Sequence, residues 1–266
     1  MSHTVSTQAA QTVPTAQKAE WTPARRALVI AGAVLIAATW LYFVLVHPAD
    51  WDQVTGSGQG IALLAGYGIG TALLLAAVIP VLPARTLGLI PIAIIINSVV
   101  GEIVGSIGLP LYLDSVGTVL VAALAGPVAG MATGALNNVV WGLLNPAALP
   151  FAAGAALIGW LAGVCIHRFN ALRNIATVIG FGLVLGIVGG MVAAPVAAYV
   201  YGGTAGVGTG ALVSLFREMG GSLIASVTTQ AFISDPVDKV IVMLVAYFTV
   251  KALPKRTVAA FAPQAK

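Results

Sequence analysis

Charge is scarce in this chain: Asp, Glu, Lys and Arg together make up 8% of it, where a soluble domain carries roughly a quarter. Hydrophobic residues reach 59%, and the mean hydropathy is +1.01. An ordinary water-soluble fold is excluded. Cysteine is nearly absent too. Cys165 stands alone, which rules out an internal disulfide and a cysteine-cluster metal site and leaves it to fill space in a helix. The histidines His3, His47 and His167 are far apart, so no metal site is expected. A phosphate-binding glycine loop followed by Lys-Ser/Thr is missing, so the energy for any driven step must come from elsewhere. No Ser/His/Asp set falls at one depth, so catalysis is not expected. Alternating ten-residue strands of a membrane barrel are missing as well.

What is present is a series of apolar segments of membrane-spanning length. Spans are expected at about 26–46, 60–82, 87–107, 112–126, 127–144, 150–167, 174–200 and 236–253. Residues 1–24 are polar and rich in Ala, Thr and Gln, and read as a disordered cytoplasmic tail. They lack the short apolar core of a signal peptide. The net charge of +4 comes from basic residues scattered at helix ends, which is read as cytoplasmic loops rather than a nucleic-acid-binding patch.

Gly126-Pro127 poses the main choice of topology. It either kinks one long helix or separates two short ones. Length favours the kink, since each half is shorter than the roughly 20 residues of a straight span. Charge favours the separation. With eight spans and an inside N-terminus, Lys18, Arg25, Arg26, Arg85, Arg168, Arg173, Lys251, Lys255, Arg256 and Lys266 all fall on the cytoplasmic side, leaving only Arg217 and Lys239. Pro also suits the first position of a helix. A hairpin at Gly126-Pro127 and eight spans, with both termini cytoplasmic, are therefore expected.

The most informative stretch runs from Leu109 to Pro146. Asp114 opens it, and no further charged residue or histidine follows until His167. A carboxylate at the edge of an apolar run is costly unless solvated or paired. Gly126, Gly130 and Gly134 recur every four residues, a spacing that lets helices approach closely. They offer either a docking face for a partner or a packing seam inside the monomer. Asn137, Asn138 and Trp141 follow near the outer end of the same segment. The asparagines can contact ligand or tie helices together. Trp141 can contact ligand or anchor the interface.

Span 87–107 carries Ser98, Glu102 and Ser106 at intervals of four, with Asn97, Gly101 and Gly105 alongside. Gly101 and Gly105 are read first as helix packing. Glu102 is a ligand candidate because intramembrane acids are usually functional, though it can also pair with Arg217. Asp114 can bind ligand or cap the next helix. Residues 211–232 read as a partly amphipathic outer helix carrying Arg217, Glu218, Ser222 and Gln230. Arg217 can grip an anion in a bidentate fork or neutralise Glu102 or Asp114. Ser234-Asp235-Pro236 reads as the cap and first turn of the last span, and capping is the preferred role of Asp235 and Asp238. With Glu102, Asp114 and Glu218 set against Arg217, the ligand cavity leans acidic. That predicts a neutral or cationic heterocycle rather than a multiply charged anion.

The order LPLYLDSVGT, GPVAG, NN…W…NP and DPVDKVIVMLVAYFTVKALPKR resembles a substrate-binding S component of an energy-coupling factor (ECF) transporter. The resemblance covers roughly 85–256. It implies an all-α polytopic protein with a six-helix core at 85–256; the two additional transmembrane helices at 25–84 depart from that pattern, and 257–266 reads as a cytoplasmic tail. The resemblance further implies a subunit that captures a vitamin or related micronutrient outside a prokaryotic plasma membrane. Its partners would be a transmembrane coupling subunit and two ABC-type ATPases, with no bound cofactor. The residues themselves give the expected ligand set as Asn97, Glu102, Tyr112, Asp114, Asn137, Asn138, Trp141, Arg217 and Glu218. The partner face would be Gly126, Gly130 and Gly134. A membrane sensor or scaffold and an ion-coupled secondary transporter are the competing classes. The first would be expected to carry an output domain, and the second an inverted repeat.

Overall fold

The computed structural model describes residues 21–46, 57–203 and 206–263, all helices, turns and connections with no strand among them. The helices are α1 (Pro23–Val46), α2 (Gly58–Val78), α3 (Ala84–Ser106), α4 (Val116–Ala125), α5 (Pro127–Leu144), α6 (Ala152–Phe169), α7 (Ile175–Tyr201), α8 (Val207–Glu218), α9 (Leu223–Ala252) and α10 (Lys255–Ala259). Short 3-10 turns at Ile79–Val81 and Pro146–Phe151 extend α2 and lead into α6. Among the described residues, five helical segments are long and apolar enough to cross a membrane: Pro23–Val46, Gly58–Val81, Ala84–Ser106, Pro146–Phe169 and Ile175–Tyr199. The chain is thus an all-helical protein of multi-pass membrane character. By contrast α4, with 10 residues, spans only about 15 Å, half of a hydrocarbon core.

The chain reverses at Gly126. Its φ of 94° and ψ of 177° lie where only glycine is at ease, and Pro127 then starts α5 with φ already set. The reversal is visible in packing. A Cβ added at Gly101 would sit 3.1 Å from Asp114, just before α4, and 2.9 Å from Trp141, near the end of α5. One position on α3 therefore touches both far ends of the pair, so α4 and α5 run antiparallel.

Small residues let the remaining helices close on one another. A side chain at Gly130 or Gly134 would overlap the backbone of Gly159 or Ala155 on α6. These two glycines form an internal seam, and the packing alternative to a partner face is the one realised. On α7, Gly182, Gly186 and Gly190 lie against Val240, Pro236 and Asp235 of α9. That seam has the same spacing of four. Without Cβ atoms in the way, dispersion contacts replace the hydrophobic drive that lipid removes.

Helix α9 departs from expectation. It runs unbroken from Leu223 to Ala252 with Pro236 inside it, and Ser222 caps its start by accepting the Ala225 N–H. Asp235 and Asp238 are consequently buried in mid-helix, where no cap is needed. The Pro236 backbone packs closely on Gly186 of α7. The expected helix over 211–232 divides instead into α8 and the first part of α9, at a turn where Gly220 has φ 92°.

Helices α1 and α2 pack against each other and onto the core. Trp40 Nε1 donates to the Val192 carbonyl at 3.1 Å, and the fully buried Tyr67 donates to Pro150 at 3.3 Å. At the other end Thr86 Oγ1 donates to the Phe261 carbonyl at 2.7 Å, so part of the expected C-terminal tail is fastened to α3. Most of the expected N-terminal tail, with His3, and also His47, lie outside the described residues.

Candidate functional site

A cavity of about 360 Å³ lies at one end of the bundle, within the size range of small-molecule sites. It is walled by the end of α3, the 109–115 connection, the end of α5, the Pro146–Phe151 turn, the start of α6, the middle of α7, the start of α8 and the first half of α9. Arg85, Arg168, Arg173, Lys251 and Lys255 sit at or beside the opposite ends of α3, α6, α7 and α9. The cavity and the basic residues therefore mark opposite ends of the molecule.

Helix α9 supplies the chemistry. Val227, Ala231, Asp235 and Lys239 recur every four residues and so share one face, and all four line the cavity. Lys239 is 7% exposed and Asp238 not at all. The Lys239 ammonium lies 2.6 Å from Asp238 Oδ2 and 3.6 Å from Asp114 Oδ1. The other oxygen of Asp238 accepts the backbone N–H groups of Tyr112 at 2.9 Å and Leu113 at 2.6 Å. Leu113 adopts a positive φ of 51°, a conformation that costs a bulky residue energy and needs such a hold. Asp238 thereby fixes the connection that carries Tyr112 and Asp114 over the cavity, while Lys239 balances its charge.

Asp114 lies within reach of Lys239, and a third of its side-chain surface faces the open space. Glu102 Oε1 accepts from Trp141 Nε1 and Asn145 Nδ2, each at 3.0 Å. This joins the ends of α3 and α5, and all three side chains line the cavity. Trp141 is thus hydrogen-bonded into the cavity wall. Asn138 lines the cavity while donating to the Ala148 carbonyl at 2.8 Å. No family model, curated protein or solved structure matches the chain.

Four of the expected ligand residues do not line the cavity. Asn97 is fully buried and ties α3 to α4, donating to Thr118 Oγ1 at 2.9 Å and accepting the Gly117 N–H at 2.7 Å. Asn137 is buried one position from Asn138 and donates to it at 3.0 Å. Arg217 and Glu218 are exposed at the end of α8, and neither forms an ion pair among the described residues. The counter-charge assigned to Arg217 belongs to Lys239.

The reading of the sequence missed Ser115, Gln230, Asp235 and Lys239 as cavity groups, and Asp238 as their support. A signal was available. Three ionisable residues within five positions, flanked by apolar residues on both sides, are expensive in a membrane and point to a site. Lys239 was also one of the two basic residues that the cytoplasmic assignment left over.

Proposed function

We propose that this chain is the substrate-capture subunit of an ECF-type importer for a vitamin or related micronutrient, embedded in a prokaryotic plasma membrane. The observation that carries the reading is a mostly apolar cavity with a few convergent polar groups, set at the end of the bundle opposite the basic residues. Under the positive-inside rule the basic end is cytoplasmic and the cavity faces outward. Both termini are then cytoplasmic, and α4 with α5 form a hairpin of two short passes within a total of eight. Glu102, Tyr112, Asp114, Asn138 and Trp141 contact the ligand, joined by Gln230, Asp235 and Lys239. The 109–115 connection serves as part of the outer cover.

No nucleotide-binding loop occurs in the sequence, so transport energy comes from two ABC-type ATPases through a transmembrane coupling subunit. The seam of Gly130 and Gly134 is occupied by α6, so that subunit docks on another face. The role is tested by uptake in cells carrying the chain with and without the ATPase pair. Uptake that stops without the ATPases supports it.

One observation favours a second reading, an ion-coupled secondary transporter. Asp235, Asp238 and Lys239 form a buried ionisable group beside a mid-helix proline, an arrangement suited to a coupling ion. Uptake that persists without ATPases and collapses with the ion gradient would decide for it.

A further inference from the structure

The charges at the cavity do not balance. Its lining contains the acids Glu102, Asp114 and Asp235 and a single base, Lys239. Lys239 is already committed, 2.6 Å from Asp238 and 3.6 Å from Asp114. Glu102 is held by the neutral donors of Trp141 and Asn145. Asp235 is left over. It is 5% exposed, it forms no ion pair among the described residues, and its Oδ1 has no hydrogen-bond partner. Lys239 stands one turn away on the same face but beyond ion-pair distance, so a buried carboxyl oxygen is left without a donor, and that is costly unless something else arrives to satisfy it.

Two further buried polar groups of the lining share this condition. Gln230, 3% exposed, has an unpartnered Nε2, and Ser115, 4% exposed, an unpartnered Oγ. Native proteins leave few such atoms unsatisfied, and here three of them gather on one cavity. Around them the walls are flat or small. Tyr112, Trp141 and Phe151 contribute rings, while Gly189, Ala193 and Ala197 of α7 contribute a smooth face.

Resting on the capture reading, we infer that the ligand is a flat nitrogen heterocycle or arylamine carrying one protonated N–H group, which donates to Asp235. A hydrogen-bond acceptor elsewhere on the ligand receives the Gln230 amide, and the aromatic walls take the ring, with cation–π attraction adding to the charge preference. Lys239 is not the ligand's anion receptor, because its positive charge is spent on Asp238 and Asp114.

The test uses three flat probes of nearly equal size with the full-length protein in lipid nanodiscs, empty discs serving as the blank. They are 4-aminoquinaldine, which is protonated at neutral pH, the neutral quinaldine, and the anionic quinaldate. Calorimetric titration should find the cation binding at least about 30-fold tighter than the neutral probe, as expected of a buried charged hydrogen bond. Quinaldate should show no heat above the blank. Asp235→Asn should reduce the cation-to-neutral ratio to near one. Preference for quinaldate, or equal binding of cation and neutral probe by the native chain, overturns the ligand class and leaves the capture role standing. Binding of none of the three, together with no co-purifying small molecule, overturns both. The native-chain ratio is decisive even if the variant fails to fold.

Discussion

Asp238 Oδ1 lies 2.6 Å from the backbone nitrogen of Leu113, 125 residues away in sequence, while its other oxygen holds the ammonium of Lys239. One carboxylate therefore fixes the cover of the cavity and neutralises the charge beneath it. Asp238→Asn keeps an acceptor for the connection but takes from Lys239 its one carboxylate within hydrogen-bond distance, leaving Asp114 at 3.6 Å as its ion-pair partner among the described residues. Breaking a buried pair in this way costs about 3 kcal/mol. The variant should unfold at a distinctly lower temperature in detergent, and an unchanged melting temperature would remove Asp238 from this role.

The seam between α5 and α6 makes a contrasting claim. A leucine at Gly134 would collide with the Ala155 backbone, and overpacking of this kind costs about 3 kcal/mol. Gly134→Leu should therefore give little monodisperse protein after solubilisation. A normal yield combined with lost uptake would restore the docking interpretation of this stripe.

Glu102 is expected to set the environment of Trp141. Replacing it by alanine leaves the indole N–H without its acceptor and opens the contact to water. The Trp141 part of the fluorescence, isolated by subtracting the Trp141→Phe spectrum, should move to longer wavelength in Glu102→Ala. An unmoved component would show that the bond does not form in the membrane.

Arg217 and Glu218 stand on the exposed end of α8, away from the cavity lining. Alanine at either position should leave uptake within about twofold of the native chain, as for surface changes generally. A loss of tenfold or more at Arg217 would return it to the ligand set.

These contrasts show what could be read from the residues. The helical class, the reversal at Gly126-Pro127 and the place of Glu102, Asp114, Asn138 and Trp141 on one cavity were legible, because each follows from local chemistry or from spacing along a helix. Asp235 and Asp238 were misread because Ser-Asp-Pro is a strong local signal for a helix start. In the fold α9 instead continues through Pro236, whose backbone packs closely on Gly186 of α7. Asn97 sits in the same polar stripe as Glu102, yet only the position of Gly117 and Thr118 on the next helix tells a structural tie from a ligand contact. Arg217 was matched to the acids by sign alone, and sign does not report distance.

The proposed capture role stands or falls on whether the cavity is occupied by a small molecule. Native mass spectrometry of protein purified gently from its own membrane measures this directly. The role requires an added mass of one vitamin-sized, nitrogen-containing molecule per chain, released on activation. A chain found only at its own mass, and unshifted in melting temperature across a panel of vitamins, would contradict it.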